Sequence, residues 1–127
     1  MTIDELVAQA QAARQRAYAP YSNFGVGAAL LTRDGRVFTG CNVENASYGL
    51  TVCAERIAVF KAVSEGCHDF AAIAVVSDTG ATPCGACRQV LVEFGVDQVI
   101  VAYADGRHTI FTLDELAPHA FDSHHLT

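Results

Sequence analysis

The sequence has little positive charge: eight Lys and Arg residues against fourteen Asp and Glu residues, a formal net charge of -6. Because proteins that bind nucleic acid obtain most of their affinity by neutralising phosphates, this balance argues against DNA or RNA as a partner. No apolar run approaches the roughly 18 residues that a transmembrane helix needs, so we expect no membrane association. The first residues include acidic side chains and no continuous apolar stretch, unlike a secretory signal. These absences predict a cytoplasmic protein.

Low-complexity tracts, internal repeats and linker-like segments are also absent. Charged residues make up only 17% of the chain and hydrophobic residues 51%, a composition that excludes an intrinsically disordered protein. A chain of 127 residues is long enough to bury one hydrophobic core. We therefore predict a single domain that spans residues 1–127.

The number of cysteines is odd, which argues against a framework of disulfides. The five residues are Cys41, Cys53, Cys67, Cys84 and Cys87. Without an export signal, metal binding or catalysis is the better interpretation of these thiols.

Apolar periodicity and turn residues predict alternating helices and strands. A first helix begins after Thr2, with Glu5 completing a capping box, and extends through Ala17 until Pro20 ends it. The other predicted helices are Thr51–Glu65, Pro83–Phe94 and a short turn at Asp114–Leu116. The predicted strands are Gly25–Thr32, Arg36–Cys41, Phe70–Ser77, Val96–Tyr103 and His108–Thr112. Asp34-Gly35 and Asp105-Gly106 are dipeptides typical of tight hairpin turns.

This order of elements predicts an α/β fold, a three-layer α/β/α sandwich around a five-stranded mixed sheet. The last two strands are separated only by residues 104–107, so they must be antiparallel, because a parallel connection needs about a dozen residues. Apolar residues cover most of the circumference of the helix predicted at 51–65. We therefore expect that helix to be deeply buried.

Two short motifs carry the chemistry: Thr51-Val-Cys53-Ala-Glu55 and Pro83-Cys84-Gly-Ala-Cys87. A Cys-x-x-Cys pair alone is compatible with zinc ligands, a redox pair or two buried cysteines. Thr51 and Thr82 are suitable helix caps, which would place all three thiols at helix N-termini. The partial positive charge of a helix N-terminus favours the thiolate, the species that binds metal.

Three cysteine ligands leave the fourth tetrahedral position of a zinc ion open, as in catalytic rather than structural sites. Neither Cys41 nor Cys67 lies in a suitable context for a fourth ligand. Glu55 is two residues from Cys53 at the same helix start, where both side chains reach beyond the helix end. It is either a first-turn glutamate that complements the helix dipole or, as we prefer, a general acid/base beside a metal that activates water.

The same residues resemble the zinc motif of the cytidine deaminase family, in its three-cysteine variant. The similarity extends to Tyr21-Ser22-Asn23-Phe24-x-Val26-Gly27-Ala28-Ala29 and to residues 40–48, Gly-Cys-Asn-Val-Glu-Asn-Ala-Ser-Tyr. It covers nearly the whole chain and points to the short, homotetrameric nucleoside class. The resemblance implies one zinc ion per chain and hydrolysis of cytidine and 2'-deoxycytidine to uridine and 2'-deoxyuridine, with release of ammonia, in pyrimidine salvage.

The resemblance also implies roles for individual residues. Asn42 and Glu44 would bind the ribose hydroxyls, and Ala54 would offer backbone groups to the base. Glu55 would contact N3 and the departing amine. The remaining residues would build the walls of the site: Phe24 against the pyrimidine, Phe121 as a further aromatic wall, and Ala46 and Tyr48 in a neighbouring subunit's site. For both phenylalanines, core packing is the alternative.

Arg56 follows Glu55 in the same helix. Three thiolates and a dication leave one net negative charge, which we expect Arg56 to offset by donating hydrogen bonds to the thiolates. A solvated surface arginine is the alternative.

Three other functions share some of these features. A polynucleotide deaminase has the same zinc motif, but the acidic charge and the antiparallel last strands disfavour it. A deaminase of a cytosine-bearing antibiotic is closer, although Asn42-Val-Glu44-Asn45 favours a plain nucleoside. A non-catalytic zinc-binding module would need neither Glu55 nor an open ligand position.

Overall fold

The structure, a computed structural model, describes residues 1–127. Its helices and strands follow in the predicted order: α1 (Ile3–Arg14), β1 (Gly27–Thr32), β2 (Val37–Cys41), α2 (Ala54–Ser64), β3 (Phe70–Ser77), α3 (Gly85–Phe94), β4 (Gln98–Tyr103), β5 (His108–Thr112) and α4 (Leu113–Leu116). Short 3-10 helices lie at Tyr48–Leu50 and Ser123–Leu126. None of the helices combines the length and the apolar character that crossing a bilayer requires.

The five strands form one mixed sheet in the order β2-β1-β3-β4-β5. β3 and β4 are parallel, and every other neighbouring pair is antiparallel. The predicted sheet and the antiparallel pairing of the last two strands are therefore confirmed. Gly35 and Gly106 have φ angles of 90° and 95° in the two predicted hairpin turns, a backbone region that favours glycine.

Helices cover both faces of the sheet, as predicted. Alternate residues of β3 point to opposite sides. Ile73 and Val75 belong to the larger core, which α2 and α3 close, whereas Ala74 and Val76 belong to the smaller core beneath α1. The three-layer α/β/α arrangement follows from this alternation.

α1 begins with the predicted capping box, because the Thr2 hydroxyl accepts the Glu5 N–H at 3.1 Å and the Thr2 N–H donates to Glu5 Oε1 at 3.0 Å. The helix ends at Arg14, before Pro20, so the prediction that it includes Ala17 is wrong. The chain after Arg14 instead pairs with another segment, and the Tyr18 N–H donates to the Asn42 carbonyl.

The predicted start of α2 is wrong by three residues. The helix begins at Ala54 with Cys53 as its N-cap. Val52 instead forms a bridge with the backbone of Val43, which keeps the chain extended. The Thr51 hydroxyl, the predicted cap, accepts the Asn45 N–H at 3.2 Å.

The predicted start of α3 is wrong for a similar reason. The helix begins at Gly85, with Cys84 as its N-cap. Pro83 therefore precedes the helix, and the Thr82 hydroxyl accepts a hydrogen bond from Arg88 at 2.9 Å instead of capping the helix.

The burial of α2 differs from the prediction. One side of the helix is buried against the sheet: Ala54, Glu55, Ala58, Val59 and Ala62. Phe60, on the other side, is 50% exposed within the chain. The expectation of deep burial thus holds for only one side of the helix in the single chain.

Gly40 of β2 allows the first turn of α2 to lie unusually close to the sheet. A Cβ atom at this position would lie 2.5 Å from the carbonyl oxygen of Ala54 and 2.7 Å from the amide nitrogen of Ala58. Both are backbone atoms that no side-chain rotation can move. Glycine is therefore required where β2 supports α2.

Candidate active site

The N-termini of α2 and α3 meet beside the carboxyl end of β3. α2 precedes β3 through residues 65–69 and α3 follows it through residues 78–84. A helix that packs beside the strand that follows it starts near the carboxyl end of that strand. A helix that comes directly after the strand starts at the same end. The carboxyl ends of strands are where open α/β sheets bind ligands.

The three predicted metal ligands come together at this point. The sulfur atoms of Cys53, Cys84 and Cys87 all lie within 4.8 Å of one another. Sγ of Cys53 and Sγ of Cys84 are 3.7 Å apart, and a tetrahedral zinc with Zn–S bonds of about 2.3 Å would separate two sulfurs by about 3.8 Å. The donor set and its spacing therefore fit a zinc ion.

The other two cysteines do not belong to this cluster. The Cys41 thiol donates to the carbonyl of Arg16, and Cys67 is buried in the larger core. The ligand set is thus three thiols, the number found in catalytic rather than structural zinc sites.

Cys53 and Cys87 differ in their tendency to ionise. A hydrogen bond from Cys87, assisted by Arg56 and Cys84, lowers the pKa of Cys53 to about 5. The pKa of Cys87 is raised, because its proton is held in the bond to Cys53 and because the group is buried near Glu55. The thiolate therefore forms readily at Cys53, whereas a bound cation would favour the loss of the proton that Cys87 holds.

Arg56 contacts the cluster directly. Its Nη2 atom donates to Sγ of Cys53 at 3.5 Å, and this bond is the main reason that the pKa of the guanidinium is raised. Its Nε atom is buried without a hydrogen-bond partner. The positive charge predicted beside the thiolates is therefore present.

Glu55 is the second residue of α2 and is only 4% exposed. Burial, with a smaller contribution from the neighbouring charge of Cys53, raises the pKa of its carboxyl to about 7. A dication held by the sulfurs would act in the opposite direction and favour the carboxylate. A carboxyl group that titrates near neutral pH suits both the uptake and the delivery of a proton.

A cavity of about 330 Å³ opens onto this cluster. Its walls include Cys53, Cys84 and Glu55 together with four of the residues named from the resemblance: Phe24, Asn42, Glu44 and Ala54. The volume falls within the range of small-molecule sites, about 300–1,000 Å³.

Asn42 is buried, and its side-chain amide holds the segment that carries Phe24. Its Oδ1 atom accepts the Val26 N–H at 2.9 Å, and its Nδ2 atom donates to the Phe24 carbonyl at 2.8 Å. Oδ1 can accept one further hydrogen bond, and Nδ2 can donate one more. Asn42 therefore positions the wall of the cavity in addition to facing it.

Glu44 is held by the same loop. Its Oε1 atom accepts the N–H groups of Tyr21 and Ser22, at 2.9 and 3.2 Å, and its Oε2 atom accepts the Ser22 hydroxyl. These bonds keep the pKa of the carboxyl below its ordinary value, the Ser22 hydroxyl contributing most. Glu44 is thus ionised and held in the wall of the cavity.

Three residues named from the resemblance do not line this cavity: Ala46, Tyr48 and Phe121. Ala46 is exposed, and Tyr48 is 73% exposed, with its ring edge-on to Tyr21. The Phe121 carbonyl accepts a hydrogen bond from Gln89 at 2.8 Å, and its ring stacks on His125.

Sequence reasoning missed several residues of the cavity. Thr51, Val75, Ala81 and Thr82 also line it. Ala81 and Thr82 follow the carboxyl end of β3, and this position relative to a buried strand was the signal that could have identified them.

The sequence of this chain is similar to those of known proteins. Residues 1–103 match the model of the cytidine and deoxycytidylate deaminase zinc-binding region. The chain is 54% identical to cytidine deaminase of Halalkalibacterium halodurans over 91% of each chain, and 48% identical to cytidine deaminase of Sporosarcina psychrophila over 100% of this chain and 96% of that one.

A solved structure agrees with these matches. The crystal structure of cytidine deaminase from Burkholderia pseudomallei superposes with a TM-score of 0.91 and 54% identity, covering 95% of this chain and 100% of that one. A more distant similarity, 33% identity over 73% of this chain and 74% of the other, is to blasticidin-S deaminase of Bacillus cereus.

Proposed function

This chain belongs to the cytidine and deoxycytidylate deaminase family, and from this we infer that it hydrolyses cytidine and 2'-deoxycytidine to uridine and 2'-deoxyuridine with release of ammonia. The observation that carries the proposal is the meeting of three thiols with a buried carboxyl at the end of one cavity. Salvage of pyrimidine nucleosides is the role that this reaction serves.

Cys53, Cys84 and Cys87 would hold one zinc ion per chain. When bound, the zinc supplies Lewis acidity that makes water nucleophilic near neutral pH. Arg56 donates to the Cys53 sulfur and offsets the excess negative charge of three thiolates. In this proposal the arginine keeps the ligand set from becoming too electron-rich to acidify water.

Glu55 is the proposed proton carrier. It would take a proton from the attacking water and deliver it to N3 of the cytosine ring, which makes C4 more electrophilic. The water oxygen would bond to C4, and Glu55 would then pass the remaining proton of this C4 hydroxyl to the exocyclic amine. Ammonia would leave as the C4–N bond breaks and the C4 carbonyl forms. The buried position of Glu55 and its raised pKa support this role.

The walls of the cavity would bind the nucleoside. Phe24 would pack against the pyrimidine ring, and the backbone of Ala54, at the first turn of α2, would bind the base. The carboxylate of Glu44 and the remaining positions of the Asn42 amide would bind the ribose hydroxyls. The location of all four residues around one cavity supports this assignment.

We further propose a homotetramer with sites completed across subunits, Ala46 and Tyr48 reaching into a neighbouring site and Phe121 closing it as a further wall. The single chain leaves large apolar side chains exposed around α2 and the cavity: Tyr48, Leu50 and Phe60. Patches of this kind mark interaction surfaces, and closed symmetric assemblies are the usual way to bury them.

A cytoplasmic location is also part of the proposal. All five cysteines are free thiols. Thiols stay reduced in the cytoplasm, whereas in the oxidising compartments that exported proteins enter they tend to form disulfides.

The direct test is an ultraviolet absorbance assay of the zinc-loaded protein with cytidine, which absorbs differently from uridine. Blasticidin S, assayed in parallel, tests the antibiotic alternative, and the higher identity to cytidine deaminases favours cytidine. Turnover of cytidine that a zinc chelator abolishes is the expected result. Stoichiometric zinc without turnover of either compound would instead identify a non-catalytic zinc module.

A further inference from the structure

Arg88 lies immediately after the ligand Cys87 and uses its whole side chain in hydrogen bonds. Its Nε atom donates to the Pro83 carbonyl at 2.7 Å, its Nη2 atom to the Thr82 hydroxyl at 2.9 Å, and its Nη1 atom to the Leu116 carbonyl at 2.6 Å. One guanidinium thus binds the two residues that precede Cys84 and, with its other branch, the end of α4.

Cys84 directly follows these two residues and makes few bonds of its own. It is the N-cap of α3, has extended backbone angles, makes no side-chain capping bond and is exposed, whereas Cys87 is buried. Its carbonyl accepts the Arg88 N–H at 2.9 Å, so the same residue ties the backbone on both sides of the Cys84 sulfur. No such restraint acts on the sulfur itself before metal binding, apart from its contact with Cys53.

We propose that Arg88 is a positioning residue for the zinc site: it fixes the approach of residues 82–84 to α3 and thereby holds Cys84 at ligand distance from Cys53 and Cys87. Arginine is required because only its planar fork of donors reaches three acceptors in fixed directions, whereas the ammonium of lysine is a point charge on a flexible stem. The inference rests on the zinc site of the proposed function, but not on the reaction.

The bond to Leu116 extends this restraint to the C-terminal segment. The neighbouring residue Gln89 binds that segment too, through the Phe121 carbonyl, but does not touch residues 82–83. Gln89 therefore provides a matched control on the same helix. Its replacement loosens the contact between α3 and the C-terminal segment while the Cys84 segment keeps its bonds.

The test measures the rate at which zinc-loaded protein releases zinc to an excess of a chromophoric chelator. Residues that hold metal ligands in place commonly contribute about 10- to 100-fold to metal affinity, so Arg88→Ala should release zinc faster by a factor in that range. Arg88→Lys, which can satisfy part of the acceptor set, should fall between Arg88→Ala and the wild type. Gln89→Ala should release zinc at the wild-type rate.

Release from Arg88→Ala at the wild-type rate would overturn the proposal, and so would equal acceleration in Gln89→Ala, which would indicate general loosening of the C-terminal segment. If Arg88→Ala does not fold, Arg88→Lys and Thr82→Val replace it in the test. Thr82→Val removes one acceptor of Arg88 without changing the side-chain shape. Zinc release at the wild-type rate from both variants would then overturn the proposal. Because the readout is zinc release, a protein that binds zinc but fails to deaminate cytidine would refute the proposed function and leave this inference standing.

Discussion

Replacement of Gly40 by alanine is expected to weaken zinc binding, although Gly40 contacts neither the metal ligands nor the cavity. The new Cβ atom would lie 2.5 Å from the Ala54 carbonyl oxygen, whereas ordinary van der Waals contact begins at 3.4 Å. Relieving the contact requires the start of α2 to move by about the difference between these two distances, 0.9 Å. Cys53 is the N-cap of that helix and would move with it.

This displacement is large relative to what a metal site accepts. Metal–ligand distances vary by only about 0.2 Å. The displaced Cys53 sulfur would therefore either lose its bond to zinc or keep that bond at the cost of leaving the steric clash at Gly40→Ala unrelieved. Overpacking of this kind usually costs about 1–3 kcal/mol of folding free energy. We expect Gly40→Ala to lose stability in that range and to bind zinc more weakly than the wild type.

The assay combines chemical denaturation with competition for zinc by a chelator of known affinity. The control is Gly35→Ala, in the turn of the same hairpin, where an added Cβ meets nothing but φ is 90°. Strain of this kind costs about 1–3 kcal/mol, so the control should lose similar stability while keeping wild-type zinc affinity. Wild-type zinc affinity in Gly40→Ala, or an equal loss in Gly35→Ala, would refute the argument.

The remaining predictions concern the proposed chemistry and assembly. Glu55→Gln should retain zinc and fold but lose at least about 10²- to 10⁴-fold in turnover, the usual contribution of general acid/base groups; a variant with a tenth of wild-type activity would remove Glu55 from the mechanism. Glu44→Ala should raise the KM for cytidine by about tenfold or more while changing inhibition by free cytosine much less; an equal loss for both would show that Glu44 does not bind the sugar. Glu44→Gln keeps an acceptor for the Tyr21 and Ser22 amides and serves as the control for the loop. Because the Ser22 hydroxyl and the neighbouring N–H groups lower the pKa of Glu44, the KM for cytidine should stay constant as the pH falls through the ordinary range of a glutamate and rise only below the lowered pKa. Tyr48→Ala should impair activity, and co-refolding with Glu55→Gln should recover part of it in hybrid sites; a fully active monomer by light scattering would contradict this.

The order and type of the elements could be predicted from the sequence because the responsible signals are local. β3 matches its predicted bounds, Phe70–Ser77, because a continuous apolar run between polar residues has one reasonable interpretation. The two hairpins follow from Asp-Gly dipeptides in the same way. These patterns require no knowledge of which segments meet in space.

The starts of α2 and α3 could not be predicted, because contacts distant in sequence determine them. Local rules favour a threonine hydroxyl as a helix cap. In the structure, Thr51 binds the amide of Asn45 and Thr82 binds Arg88, so neither hydroxyl is available for capping. Each helix begins later, with a ligand cysteine as its N-cap.

The residues of the candidate site fall into the same two groups: those indicated by local motifs, and those placed by contacts between segments that are distant in sequence. The three thiols and Glu55 were predictable from two motifs, since each motif places its residues at one helix start. The bonds of Asn42 and Glu44 to the loop of residues 21–26 had no signal in the sequence, because β1 and β2 separate these segments before the sheet brings them together.

The placement of two of the three ligand cysteines, Cys53 and Cys84, at N-caps has a physical consequence for the site. An N-cap side chain projects beyond the helix end, toward the unpaired N–H groups and the positive end of the dipole. The N-termini of α2 and α3 lie beside β3, and their partial positive charges, together with the charge of Arg56, offset the negative charge of three thiolates. A metal site with neutral ligands would not need this compensation. The positions of both helix starts are therefore part of the metal site. They depend on residues outside the ligand set: Gly40, whose lack of a side chain lets α2 approach β2, and Arg88, which binds the residues before Cys84.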